Sequence, residues 1–324
     1  MKYQIVAPLH YFLTASTKEL KFPNRVTLAD GYKIQKLNKN LIDQTASSFR
    51  RFFSDQDVID IKECEYAIYY ELENNGSGYS GIPENVLHAI DSIVYALRIV
   101  RPTKVVRSII VFDKVNGSVT VPRELNHHRG DDSLIYLFDD NITHQPNNPR
   151  YQFFMKGDEY KIRKYFKNIK YLYDSFGGTY HKALNSVFFF ELGHMQLFYK
   201  VRMITLVTGL ESLFNTSSEQ VGYTLKERCS FFLSNDPDTR LEIGRKIKKI
   251  YRLRSQFVHG QGVDDKALLN DLELQKQLII SAEQYLRECL QKLLSDRALI
   301  SKFEDSSKLT VLFDELIASK ISRL

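Results

Sequence analysis

Two side chains in this sequence, Arg254 and His259, bring groups capable of charge and proton chemistry into one short run. A guanidinium keeps its charge at any physiological pH. An imidazole near neutrality can take up a proton and hand it back. Both lie in the run Arg254-Ser255-Gln256-Phe257-Val258-His259, which Gly260 follows. His259 sits at the end of a predicted helix, whose dipole favours the imidazolium. The lysines and arginines on the same face oppose it. These influences pull against each other, which suits a group that titrates near neutrality. A solvated surface histidine with no task is the competing reading.

The helix that must position this pair runs from Pro237 to Val258, with Asp236 as its N-cap and Gly260 just past its end. At about 100° per residue, Ile243, Ile247, Ile250, Phe257 and Val258 fall within roughly 60° of Arg254. The arginine is therefore expected in the middle of the core-facing stripe. Arg245, Lys248, Arg252 and His259 fall on the opposite side. A guanidinium on an apolar face needs an anionic partner, because it cannot discard its proton. A long helix expected from Tyr180 to Phe214 offers Glu211, set among Ile204, Val207 and Phe214 on its own apolar face. Glu211 and Arg254 are expected to lie close together. A buried structural ion pair, or an arginine snorkelling to the bundle rim, explains that placement as well as a functional one does. The stripe Arg245, Lys248, Lys249 and Arg252 suits contact with RNA phosphates, and equally an ordinary solvated helix face.

The run Ile250-Tyr251-Arg252-Leu253-Arg254-Ser255-Gln256-Phe257-Val258-His259-Gly260 resembles the signature of the HEPN superfamily, an arginine followed by four to six residues and a histidine. The flanking segment Leu206-Val207-Thr208-Gly209-Leu210-Glu211-Ser212-Leu213-Phe214 is similar to the LExLF segment of the ApeA-like branch, as is the Arg-Ser-x-x-Val-His-Gly form. The resemblance covers roughly residues 158 to 300. It implies a metal-independent endoribonuclease of the kind found in toxin–antitoxin, anti-phage and CRISPR-linked systems. It also implies a homodimer in which two such motifs share one composite site. His259 would then act as general base or acid at the ribose 2′-hydroxyl and the leaving oxygen, and Arg254 would stabilise the phosphate. Glu211 would orient Arg254. Ser255 stands where many members carry Asn, His or Asp, and its hydroxyl would bond the phosphate or the motif. That departure keeps a second reading open, a non-catalytic module that binds RNA, nucleotide or a partner protein. A regulatory partner of an antitoxin or defence type is a third.

The surrounding elements are expected to be of two kinds. Tyr3–Leu13, Arg25–Leu37, Glu65–Leu72, Val105–Asp113 and Gly117–Pro122 read as strands, and Pro83 to Val100 as a helix. The Asp-, Asn- and Pro-rich stretch from Asp131 to Arg150 marks a linker. Beyond it, helices are expected at Lys161–Phe176, Tyr180–Phe214, Thr224–Leu233, Pro237–Val258, Lys266–Leu294 and Leu309–Ile321. The expected fold is α+β, with a mixed α/β sensor or substrate-selecting domain over 1–150 and an all-α, HEPN-like bundle over 151–324.

The 324 residues suffice for two domains, and 43% hydrophobic with 26% charged residues is a globular composition. A net charge of +6 is a mild lean toward polyanions. The most apolar stretch, Phe188 to Phe214, contains Glu191, His194, Lys200, Arg202 and Glu211, which argues against a membrane span. Cys64, Cys229 and Cys289 have neither metal spacing nor an even count, and no stretch near the start reads as a signal peptide, so a cytoplasmic setting is expected. No cofactor and no metal are expected. His127-His128, near Asp131-Asp132, reads as solvated loop rather than as ligands. Gly76-Ser77-Gly78 lacks the Lys-Ser/Thr of a phosphate loop.

Overall fold

The computed structural model describes residues 2–15, 17, 19–43, 55–73, 81–103, 105–114, 118–120, 153–176, 181–196, 198–217, 219–259 and 271–321. The chain divides into two compact units, Met1–Lys170 and Tyr171–Leu324. The expected linker from Asp131 to Arg150 lies outside the described residues, as do His127-His128 and Gly76-Ser77-Gly78. No helix among the described residues is long and apolar enough to cross a membrane.

The first unit is built on an antiparallel sheet. Its strands are β1 (Lys2–His10), β2 (Arg25–Thr27), β3 (Lys33–Lys36), β4 (Tyr66–Glu73), β5 (Val106–Arg107), β6 (Ile110–Asp113) and β7 (Val119–Thr120). They run in the order β2-β3-β4-β1-β6-β7, with β5 paired to β1. β1 is central, flanked by β4 and β6, and its Ile5, Val6, Ala7 and Leu9 are fully buried. Such a strand reads as a nearly continuous apolar run because both faces are covered. Val6, Ala67, Tyr69, Ile110 and Phe112 form one core cluster with Val58 and Ile61 of helix α1 (Asp55–Glu63). Helix α2 (Glu84–Val100) is buried at Val86, Ala89, Ile90, Ile93, Val94 and Leu97, which follows its helical period.

Arg25–Leu37, expected as one strand, is instead a hairpin in which Val26 faces Ile34. Asp30 (φ 54) and Gly31 (φ 83) turn the chain between β2 and β3. Asp-Gly is the residue pair that tolerates such left-handed geometry.

The second unit is helical. Helix α3 (Asp158–Phe176) starts inside the first unit and ends in the second. Its early residues belong with the sheet: Arg101 grips Asp158 at 2.9 and 3.0 Å, Arg163 Nε donates to the Thr27 carbonyl at 2.9 Å, and Phe166 meets Tyr32 edge-on. The units therefore divide inside α3, beyond the boundary expected at residue 150.

The helices that follow are α4 (Lys182–Met195), α5 (Tyr199–Phe214), α6 (Val221–Leu233), α7 (Pro237–His259), α8 (Leu272–Leu294), α9 (Arg297–Lys302) and α10 (Ser306–Ile321). The single helix expected from Tyr180 to Phe214 is thus two. The break follows Gly193, whose carbonyl accepts from the Gln196 N–H, and α5 then packs back on α4. A Cβ at Gly193 would lie 2.8 Å from Leu206 Cδ2, so the glycine permits that close return. Asp271, whose side chain accepts from the Leu274 N–H at 2.9 Å, starts α8 later than the expected Lys266. Helix α9, capped by Asp296, was not foreseen.

Candidate functional site

Helix α7 carries the motif. Asp236 Oδ2 accepts from the Thr239 N–H at 2.8 Å and from its hydroxyl at 2.6 Å, closing the helix start as its sequence implies. These bonds hold the Asp236 carboxyl below the usual range. The buried residues of α7 are Arg240, Ile243, Gly244, Ile247, Ile250, Leu253 and Gln256. That stripe reaches the last turn through Leu253 and Gln256, so Arg254 lies at its edge, half-buried, and not in its middle. Val258, expected to face the core, is 45% exposed. Phe257 is half-buried, with its ring edge-on to Tyr199 of α5 at 5.8 Å and Lys200 Nζ over it at 5.6 Å.

Arg254 and Glu211 meet. Arg254 Nη2 donates to Glu211 Oε2 at 3.4 Å, with side chains 21% and 15% exposed. The Arg254 guanidinium also lies 6.0 Å from the centre of the Tyr251 ring. In an α-helix each side chain leans toward its own N-terminus. Tyr199 at the start of α5 touches Phe257 near the end of α7, so the two helices run in opposite senses. Arg254 and Glu211 therefore lean toward each other. The pair is underfilled: Glu211 Oε1 and Arg254 Nε are buried without a hydrogen-bond partner. Burial raises the Glu211 carboxyl above the usual range, and the nearby Arg254 offsets only part of that.

The other expected residues are placed differently. Ser255 is half-buried, and His259 is exposed as the last residue of α7. On an ideal helix His259 lies about 140° round from Arg254, and no hydrogen bond joins the two. Arg245, Lys248, Lys249 and Arg252 are all exposed, and none forms an ion pair among the described residues, whereas neighbouring Lys246 pairs with Glu242 at 3.2 Å. They form one open basic stripe on the side of α7 that His259 shares.

Two features escaped the sequence reading. Gln256, inside the motif, is 5% exposed, and neither of its amide atoms has a hydrogen-bond partner. Farther along α5, Arg202 joins Glu283 and Arg287 of α8 and His194 of α4 in one charged cluster. Both arginines donate to Glu283, one to each carboxylate oxygen, and His194 Nε2 lies 3.7 Å away. Burial acts to raise the Glu283 carboxyl, but Arg202, His194 and Arg287 together outweigh it and hold it well below the usual range. Arg202 and His194 had been visible only as interruptions of an apolar run, with nothing to say that a carboxylate would meet them.

Among the described residues no group of three or more His, Cys, Asp or Glu side chains is arranged to hold a metal ion. No protein-family model matches the chain, no curated protein matches it, and no solved structure matches it.

Proposed function

We propose that the protein is an endoribonuclease of the HEPN class, acting without a metal on RNA phosphodiesters, in anti-phage defence or toxin-type growth arrest. The observation that carries the reading is the arrangement on α7: Arg254 held by Glu211 at 3.4 Å with unused donor and acceptor atoms, and His259 exposed beside an unpaired basic stripe. In this reading the stripe of Arg245, Lys248, Lys249 and Arg252 takes up the RNA backbone. His259 removes the 2′-hydroxyl proton or returns one to the leaving 5′-oxygen, and Arg254 supports the charge on the phosphorus oxygens. Ser255 supplies a hydroxyl to the phosphate.

Arg254 and His259 diverge on their helix, so a second copy of the chain is expected to complete the site. The first turn of α5 and the last turn of α7 meet at Tyr199 and Phe257. Exposed Phe198 (72%), Val201 (40%) and Val258 (45%) lie in or beside those same turns and give that copy an apolar surface.

The test is induced expression of wild type and His259→Ala in a bacterial host, reading growth and total-RNA integrity. His259 is exposed, so the variant should fold with stability within about 0.5 kcal/mol of wild type. Wild type should arrest growth and fragment RNA, while His259→Ala should lose about a hundredfold or more in cleavage rate. Intact RNA and unimpaired growth with wild type, under induction and under phage challenge, would remove the nuclease reading.

The divergence of Arg254 and His259 also favours a second reading, a non-catalytic module that binds RNA, nucleotide or a partner protein. A wild-type chain that retains RNA on a filter and leaves it whole would select it.

A further inference from the structure

The sheet of the first unit brings a thiol, an imidazole and a hydroxyl into line. His10 ends β1, Cys64 lies between α1 and β4, and Ser108 lies between β5 and β6. The register pairs Pro8 with Ala67 on one side of β1 and His10 with Val106 on the other, which gathers all three at one end of the sheet. Cys64 Sγ lies 3.4 Å from His10 Nδ1, and His10 Nε2 lies 3.0 Å from Ser108 Oγ. The Ser108 N–H donates to the Pro8 carbonyl at 3.3 Å, which ties the hydroxyl's backbone to the strand that carries the histidine.

A neutral imidazole carries one proton. When Nε2–H donates to Ser108 Oγ, Nδ1 is left as an acceptor facing the thiol, the arrangement that activates a cysteine. The thiol has a second acceptor, the Asp60 carbonyl at 3.3 Å. A carbonyl can only share the proton, whereas an imidazole can take it away. The exposures set the size of any reactant. Cys64 is 5% exposed, His10 7% and Ser108 not at all, so a reactant at the sulfur has to be small. Cys229 and Cys289 are fully buried and hydrogen-bond each other, with no imidazole beside them among the described residues, which makes them internal standards.

We propose that Cys64, His10 and Ser108 form a thiol site that reacts with a small hydroperoxide. His10 Nδ1 takes the thiol proton, and the thiolate attacks one peroxide oxygen. An S–O bond forms as the O–O bond breaks, and the imidazolium gives its proton to the departing oxygen. The products are the Cys64 sulfenic acid and water, or an alcohol from an alkyl hydroperoxide. Sulfur is oxidised by two electrons and the peroxide is reduced by two. The site lies in Met1–Lys170 and does not rest on the RNA reading of α7.

The experiment treats the full-length chain with hydrogen peroxide and dimedone and follows each cysteine by mass spectrometry. The variants are His10→Gln and Ser108→Ala, with folding checked by circular dichroism. Cys64 should be trapped first, about tenfold or more faster than Cys229 or Cys289. Folded His10→Gln should slow it by about tenfold or more, because a positioned base is lost. Ser108→Ala should slow it less but in the same direction, since the ring loses the partner that fixes its tautomer. Greater exposure alone would leave the Ser108→Ala rate at the wild-type value, and that result overturns the proposal. Trapping of Cys64 no faster than the other two cysteines in wild type overturns it as well, even if His10→Gln fails to fold.

Discussion

Two glutamates of the helical unit meet arginines against the same helix and end in opposite states. Near the start of α5, Arg202 donates to Glu283, which also receives Arg287 and has His194 beside it. At the other end of α5, Glu211 has one contact to Arg254, at 3.4 Å. Both carboxylates are largely withdrawn from water, and withdrawal alone raises a carboxyl pKa. Several cations overcome it at Glu283, and a single one does not at Glu211. The first arrangement ties α4, α5 and α8 together with both carboxylate oxygens in use. Each arrangement leaves one arginine Nε without a hydrogen bond, Arg202 in the first and Arg254 in the second, but only the second also leaves a carboxylate oxygen, Glu211 Oε1, unpaired in a protein interior, where nearly every polar atom finds a partner. The contrast separates a structural lock from the candidate site, and it can be tested at both ends.

The largest effect is expected at the lock. Glu283→Gln keeps the volume and removes the charge, so Arg202 and Arg287 lose the anion that justifies their burial. Removing one partner of a buried charge network costs about 3–5 kcal/mol, and urea unfolding at neutral pH should show a loss in that range. A loss below about 1 kcal/mol would place Glu283 with ordinary surface pairs and erase the distinction from Glu211.

A middle-sized effect is expected midway along α5. A Cβ at Gly209 would lie 2.7 Å from Leu286 Cδ2 and 3.3 Å from Phe189 Cβ, so α5 is wedged between α4 and α8 there. Gly209→Ala should gain helix propensity but overpack this contact, with a net loss of about 1–3 kcal/mol in urea unfolding. If the wedge also sets the angle at which α5 offers Glu211, RNA cleavage should fall in the same variant. Unchanged stability would mean that Leu286 moves aside freely and that α5 is not held by this approach.

The helical unit was more legible in the sequence than the sheet, for physical reasons. Asp236-Pro237 and the spacing of Ile243, Ile247 and Ile250 announce α7 because caps and period are local signals. The meeting of Glu211 with Arg254 followed from two wheel positions, since each charge lies beside its own helix's apolar face. What the wheel could not supply was the neighbour: α7 buries Leu253 and Gln256 in its last turns, which moves Arg254 to the rim and leaves Val258 outside. The break between α4 and α5 was hidden because no proline marks it and the apolar run continues across it. Partners far apart in sequence, Arg202 with Glu283 or Cys64 with His10 and Ser108, leave no local trace. The hairpin at Asp30-Gly31 did leave one, and the β-branched residues around it obscured the turn.

The smallest effect is expected at the candidate site, where its sign matters more than its size. Glu211→Gln keeps an acceptor for Arg254 and removes a carboxylate that burial disfavours, so stability at pH 7 should change by less than about 1 kcal/mol. The pH dependence is sharper. The folded Glu211 pKa is raised, so its contribution is fully present below the unfolded glutamate value of about 4.3 and is lost as pH rises through the folded value. Glu211→Gln should therefore gain on wild type as pH climbs from about 4 to 7. Glu283 runs the other way: its folded value is depressed, so its contribution is present above about 4.3 and disappears as pH falls through the folded value. The deficit of Glu283→Gln should accordingly shrink in acid. Urea midpoints for the three proteins from pH 7 down to about pH 2 would display, relative to wild type, two slopes of opposite sign. A Glu211→Gln protein that loses ground to wild type as pH rises would mean that Arg254 outweighs burial, and the two glutamates would then be locks of the same kind.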